Sequence, residues 1–270
     1  MMGLVGGFGA SFDSRPNAGR HEVLGDGMSR PVGPWASWRS ASAPEGSRIW
    51  RRALVEPADL AAFRVAMAGD LALFSRLTSG EPDRPLIEWM RMSRYPRGLG
   101  LDLCGQNAES AIAALSQAIA DLPPIAFREG REALSADYQA IFFNHGRSGF
   151  ATESHWVGDD RSTLVAAWYD RFDYRLNGRS HSPLDSLAFE LGFMAHLFDA
   201  PVIDDGTVLA ESRLFLETHL RPWVPDFLQE WSRVSTTPFY RGLAGLLGIY
   251  LRVLDDRLQQ VQGDILSVPA

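Results

Sequence analysis

The chain has 270 residues, a formal net charge of -7 and 46% hydrophobic residues, enough for a packed core in one domain or two small ones. All 26 basic residues are Arg, which excludes lysine Schiff-base chemistry and a P-loop lysine. The single cysteine, Cys104, excludes an intrachain disulfide and a Cys-rich metal site, and the acidic balance argues against nucleic acid as a partner. No apolar run reaches the length of about 18 residues that a membrane span needs, so no stable membrane insertion is expected.

Residues 1–52 are rich in Gly and Pro and hold no lasting period, so a flexible, weakly ordered N-terminal extension is expected. Its apolar start lacks a basic n-region, the first Arg being Arg15, and does not read as a secretory signal. Trp35, Trp38 and Trp50 give it a reason to dock on the domain that follows. Residues 53–262 are expected to form one all-α domain, and 263–270 a C-terminal tail.

The helical pattern begins at Glu56, with Pro57 in the first turn. Leu60, Phe63, Met67, Leu71 and Phe74 then recur at spacings of three and four as far as Gly80. A short helix follows over Leu86–Met92. The next covers 106–122 and is stopped by Pro123-Pro124, and another covers 131–143 with Leu134, Tyr138, Ile141 and Phe142 inward. A loop holding Trp156 leads to a helix over 161–176. Ser182-Pro183-Leu184-Asp185 then reads as a helix start, with Ser182 as cap, Pro183 in the first helical position and Asp185 at the capping-box spacing. Leu187, Leu191, Met194 and Phe198 supply its buried stripe. The segment 208–233 is helical but must bend or break at Pro222 and Pro225. The last helix starts near Thr237-Pro238, where Gly242, Gly245 and Gly248 suit close packing against a neighbour. The pattern predicts seven or eight helices and almost no sheet.

Motifs for chemistry are scarce. The six histidines show no HExxH spacing, and no Gly-x-Ser-x-Gly elbow is present. No metal, cofactor or catalytic activity is expected. The pairs Asp159-Asp160, Asp204-Asp205 and Asp255-Asp256 read as solvated charge, although an acidic helical surface also suits a basic peptide.

Several segments together are familiar. Tyr138–Phe142 followed by Glu153-Ser154-His155-Trp156 resembles the tyrosine-phenylalanine helix and Glu-Ser-x-aromatic loop of the TorD/DmsD-like family of molybdoenzyme maturation chaperones. The run from Ser182 to Met194 resembles that family's Glu-Pro-x-Asp-His start leading into Glu-Leu-x-Phe-Met. Phe215–Trp223 resembles its Phe-Leu-x-x-His-Leu-x-x-Trp helix, and Pro238–Ala244 the start of its closing helix. The resemblance spans roughly residues 55–260.

It implies an all-α cytoplasmic chaperone without catalysis, acting as a monomer or a helix-exchanged dimer. The implied partner is the precursor of a molybdenum-cofactor oxidoreductase, held through its apo-form, its twin-arginine signal peptide or both. A helical assembly subunit with a permanent protein partner is the alternative. Implied client-binding positions are Asp185, Ser186, Glu190, Glu153, Trp156 and His219. The family commonly carries Glu and His where this chain has Ser182 and Ser186, so recognition would rest more on Asp185 and nearby surfaces. Asp185 equally suits a role stabilising a helix N-terminus, and Trp156 suits either the core or the rim of a cleft.

Overall fold

The structure, a computed structural model, describes residues 57–122, 128–143, 150–158, 160–176, 183–200 and 204–267. The extension 1–52 with its three tryptophans, and Ser182, lie outside the described residues.

Among the described residues ten α-helices follow in order: α1 (Pro57–Ser79), α2 (Arg84–Met92), α3 (Gln106–Asp121), α4 (Arg128–Phe142), α5 (Glu153–Val157), α6 (Arg161–Arg171), α7 (Leu187–Asp199), α8 (Asp205–Phe215), α9 (Val224–Val234) and α10 (Pro238–Ser267). A π-helical turn, Leu216–Leu220, continues α8. Among the described residues the β-structure is one isolated antiparallel bridge, Thr152 to Ser186. No described helix is long and apolar enough to cross a membrane.

The expected boundaries hold where punctuation is local. Asp83 caps α2 by accepting from the Leu86 N–H at 3.0 Å, with Pro85 in the first turn. Pro222 and Pro225 divide the long segment, because α8 and its π-turn end before one and α9 starts beside the other. Five expectations differ. Ten helices stand among the described residues where seven or eight were expected, and the helix expected over 161–176 ends at Arg171. The segment holding Trp156 forms the short helix α5. The helix expected from Pro183 starts instead at Leu187. α10 continues to Ser267, into the segment read as a tail.

α7 is the centre of the domain. Nine of its thirteen residues are buried, on more than one face, so neighbours surround it. α1 packs along it and places Arg64 at its C-terminal end, where the guanidinium donates to the Phe198 carbonyl at 3.1 Å and to that of Ala200. The same group pairs with Asp205 at 2.6 Å, so one arginine closes α7 and opens α8. Asp137 of α4 serves the start of α10, accepting from the backbone N–H groups of Thr236 at 2.9 Å and Thr237 at 2.7 Å. Trp223, Phe227, Phe239 and Tyr240 are all buried. On α10, Cβ positions at Gly242 and Gly248 would lie 3.3 Å from Leu115 and Leu228, whereas Gly245 faces open space. The close-packing expectation therefore holds for two of the three glycines.

The turn after α2 is fastened by Asp70 of α1. This buried carboxyl accepts from the N–H groups of Gly100 at 2.9 Å and Leu101 at 3.3 Å. Burial pushes its pKa up to about 7, against the lowering effect of those hydrogen bonds. The turn lies so close to α1 that a Cβ on Gly100 would sit 2.5 Å from the Ala66 Cβ. Gly100→Ala should therefore destabilise the protein by about 1–3 kcal/mol through overpacking. Gly245→Ala should stabilise it by about 0.4–1 kcal/mol by restricting the unfolded chain. Denaturant melts of both variants beside the wild type test the pair, and a stabilised Gly100→Ala would show that the turn is not held against α1.

Candidate functional site

Four of the six expected site residues meet in one buried neighbourhood: Asp185 is 1% exposed, Glu153 and Glu190 0% and His219 3%. Placing three carboxyl groups there costs several kcal/mol per charge unless each is neutralised or partnered. Each meets that demand differently.

Asp185 spends its carboxylate on α5. Its Oδ2 accepts from the Ser154 N–H at 2.8 Å and from the Ser154 hydroxyl. Ser154 is in the first turn of α5, so Asp185 supplies from 31 residues away the oxygen that Thr152, the local N-cap, does not. The backbone repeats the link. The Glu153 N–H donates to the Asp185 carbonyl at 2.9 Å and the Leu187 N–H to the Ala151 carbonyl at 3.0 Å. This pairing explains why α7 cannot begin at Pro183. Residues 183–186 turn and run alongside 151–153, and only Leu187 is released into helix. Asp185 is thus a helix-terminus residue, but for α5 and not for the helix expected to follow it.

Glu153 has a hydrogen-bond partner at one oxygen and an ion-pair partner at the other. His219 Nδ1 lies 2.8 Å from Oε2, and since a carboxylate can only accept, Nδ1 carries the proton. Arg161 Nη1 lies 3.4 Å from Oε1. The π-turn brings His219 to this place. Arg221 N–H donates to the Leu216 carbonyl at 2.8 Å, five residues back, and the widened turn stacks the imidazole against Phe215 with ring centroids 4.8 Å apart.

Glu190 has the weakest partner. Trp223 Nε1 donates to its Oε2 at 3.3 Å, and its Oε1 has no hydrogen-bond partner among the described residues. Burial, reinforced by the nearby charges of Glu153 and Asp185, raises its pKa well above the usual carboxylate range. Tyr169 closes the cluster, its hydroxyl donating to the Leu184 carbonyl at 3.0 Å. Burial and the charge of Glu190 push its phenol well above the usual range.

The other two expected residues lie apart from these carboxyl contacts. Ser186 is the N-cap of α7 by backbone geometry, yet its Oγ makes no capping bond. Trp156 is half-buried, donating through Nε1 to the Phe150 carbonyl at 2.8 Å and packing edge-on to Phe227. It therefore plugs the bundle while keeping one side at the surface. Ser154, Arg161, Tyr169 and Trp223 were not singled out as site residues, although Ser154 and Trp223 belong to the quoted motifs. Among the described residues no three His, Cys, Asp or Glu side chains are grouped to hold a metal ion.

Beneath the surface, with its hydroxyl, imidazole and indole donors turned onto carboxyl groups, this cluster holds backbone segments in place. That defines an all-helical protein with a polar junction at its centre. Residues 104–229 match the family described as nitrate reductase delta subunit, a stretch that contains the whole cluster. Over 122 residues the chain is 32% identical to the chlorate reductase assembly chaperone protein of Ideonella dechloratans, covering 40% of this chain and 62% of that protein. These matches support the resemblance to the TorD/DmsD-like molybdoenzyme maturation chaperones read from the motifs.

Two variants test the junction. Asp185→Ala should cost about 1–3 kcal/mol, the range of a lost cap bonded to a charged group, and an unchanged melt would show that α5 does not depend on it. Glu190→Gln tests the raised pKa. A carboxyl whose folded pKa lies above its unfolded value contributes stability that is fully present below about 4.5 and lost as pH rises through the folded pKa. Wild-type stability should therefore fall relative to Glu190→Gln as pH rises from 4.5. Denaturant titrations over a pH series read this directly, and parallel curves would show that Glu190 ionises normally.

Proposed function

We propose that this chain is a cytoplasmic maturation chaperone for a molybdenum-cofactor oxidoreductase. It binds the apo-form of the client, its twin-arginine signal peptide or both, and holds export back until the cofactor is inserted. The work is done by binding, with no chemical step. One observation carries the reading: the residues that build the buried junction all fall in the stretch matching the family. That the similar Ideonella dechloratans protein is an assembly chaperone supports the functional part of the reading.

In this reading the client rests on the surface that the junction holds up. Pro183, Leu184 and His155 are exposed there and Trp156 is half-exposed, giving apolar and aromatic area. Asp185, Glu153, His219, Glu190 and Ser186 act from below as positioning residues. A net charge of -7 attracts a peptide bearing two arginines over several ångströms, an effect that salt weakens.

A second reading, a permanent helical subunit of such an enzyme, is favoured by the word subunit in the family description. Purification from cells that make the tagged reductase separates the two. A chaperone is expected with precursor that lacks cofactor and absent from the loaded, mature enzyme. Constant stoichiometry with the loaded enzyme would favour the subunit, and association with neither form would overturn both readings.

A further inference from the structure

A pocket of about 580 Å³ opens between α2, the turn that follows it and α3. It uses none of the residues of the buried junction. Three arginines, Arg91, Arg94 and Arg97, line it over an apolar floor that includes Met90 and Ile119.

The three cations are not equivalent. Arg91 is committed to α3, donating through Nε to the Ile119 carbonyl at 3.2 Å and through its other nitrogen to that of Leu122. Arg94 and Arg97 are exposed, and their guanidinium groups make no ion pair or hydrogen bond among the described residues. This contrasts with Arg64, Arg84, Arg171, Arg175 and Arg233, each of which pairs with a carboxylate. The turn bearing them is fixed. Arg97 N–H donates to the Arg94 carbonyl at 3.1 Å, and Asp70 clamps the far end through Gly100. Two unpaired guanidinium groups thus stand in place on a protein whose net charge is negative.

From this geometry we infer that the pocket docks an acidic peptide segment of a protein partner, one carrying carboxylates beside an apolar side chain. Guanidinium groups pair with carboxylates in bidentate fashion, and the apolar floor takes the neighbouring side chain. A compact phosphate ligand fits less well, because such sites gather buried polar groups around the ligand. Here the Ser116 and Tyr95 hydroxyls are both sealed from the surface, and the exposed donors are the arginines at the rim. Arginine over an apolar floor is the composition of a protein interface. A twin-arginine segment is excluded from this pocket by like charge, so the pocket would read a different part of a client or a different protein.

The test uses the full chain and a short fluorescein-labelled peptide of Glu and Leu, read by fluorescence anisotropy at low and high salt. Binding is expected at low salt, weaker at high salt, and reduced at least about tenfold in Arg94→Glu/Arg97→Glu. Arg97→Glu alone serves if the double variant does not fold. Arg131→Glu/Arg252→Glu, which reverses two other exposed arginines, should leave the affinity within about twofold of wild type. Unchanged affinity in the pocket variants, an equal loss in the control variant, or displacement of the peptide by inorganic phosphate at matched ionic strength would each overturn the assignment.

Discussion

Three carboxyl groups share one buried neighbourhood of this domain with one imidazole and one guanidinium near enough to answer them, and much of the local architecture follows from that shortage. Glu153 takes both nitrogen partners, His219 and Arg161. Asp185 takes two donors from one serine, Ser154. Glu190 is left with the indole of Trp223, and burial drives it toward the neutral form. A charge without a partner in this space would cost more than any single surface contact returns.

Meeting those demands draws distant parts of the chain together. α5 is five residues long and could not persist alone, since a helix so short does not repay its nucleation. It exists because Asp185 completes its N-terminus and because the bridge between Thr152 and Ser186 fixes its entry. The π-turn after α8 has the same logic. An ordinary helix would rotate His219 away from Glu153, whereas the wider turn delivers it against Phe215 and onto the carboxylate. The surface above, carrying His155, Trp156 and Leu184, inherits its position from these bonds. In the proposed function such a face would be stiff where it meets the client, which lowers the entropy lost on binding.

Much of this was legible in the sequence. Apolar residues at spacings of three and four marked α1, α3, α4, α7 and α10, and Leu60, Phe63, Met67, Leu71 and Phe74 are all buried. Prolines 222 and 225 divided the segment they were expected to divide. What escaped was what depends on tertiary bonds. Ser182-Pro183-Leu184-Asp185 has the local chemistry of a helix start, yet the backbone of 183–186 pairs with 151–153 and overrides it. α5 is too short to show a period, and nothing in Leu216–Leu220 announces a π-turn. Four of the six expected site residues were brought together, but beneath the surface, because motif spacing carries no sign of depth. Arg94 and Arg97 attracted no notice, since an arginine gains meaning from the partners it lacks, and those are visible only in the fold.

The central claim is that α5, the 183–187 segment and the π-turn form one cooperative unit held by these buried bonds. Native-state amide hydrogen exchange at Glu153, Ser154, Leu187 and Arg221, followed across denaturant concentration, tests it most directly, because each of these N–H groups makes one of the bonds in question. The expected result is a common opening free energy and a common denaturant slope for all four. Rapid exchange of Glu153 and Ser154 through local fraying, while Leu187 and Arg221 open only with the whole domain, would contradict the claim.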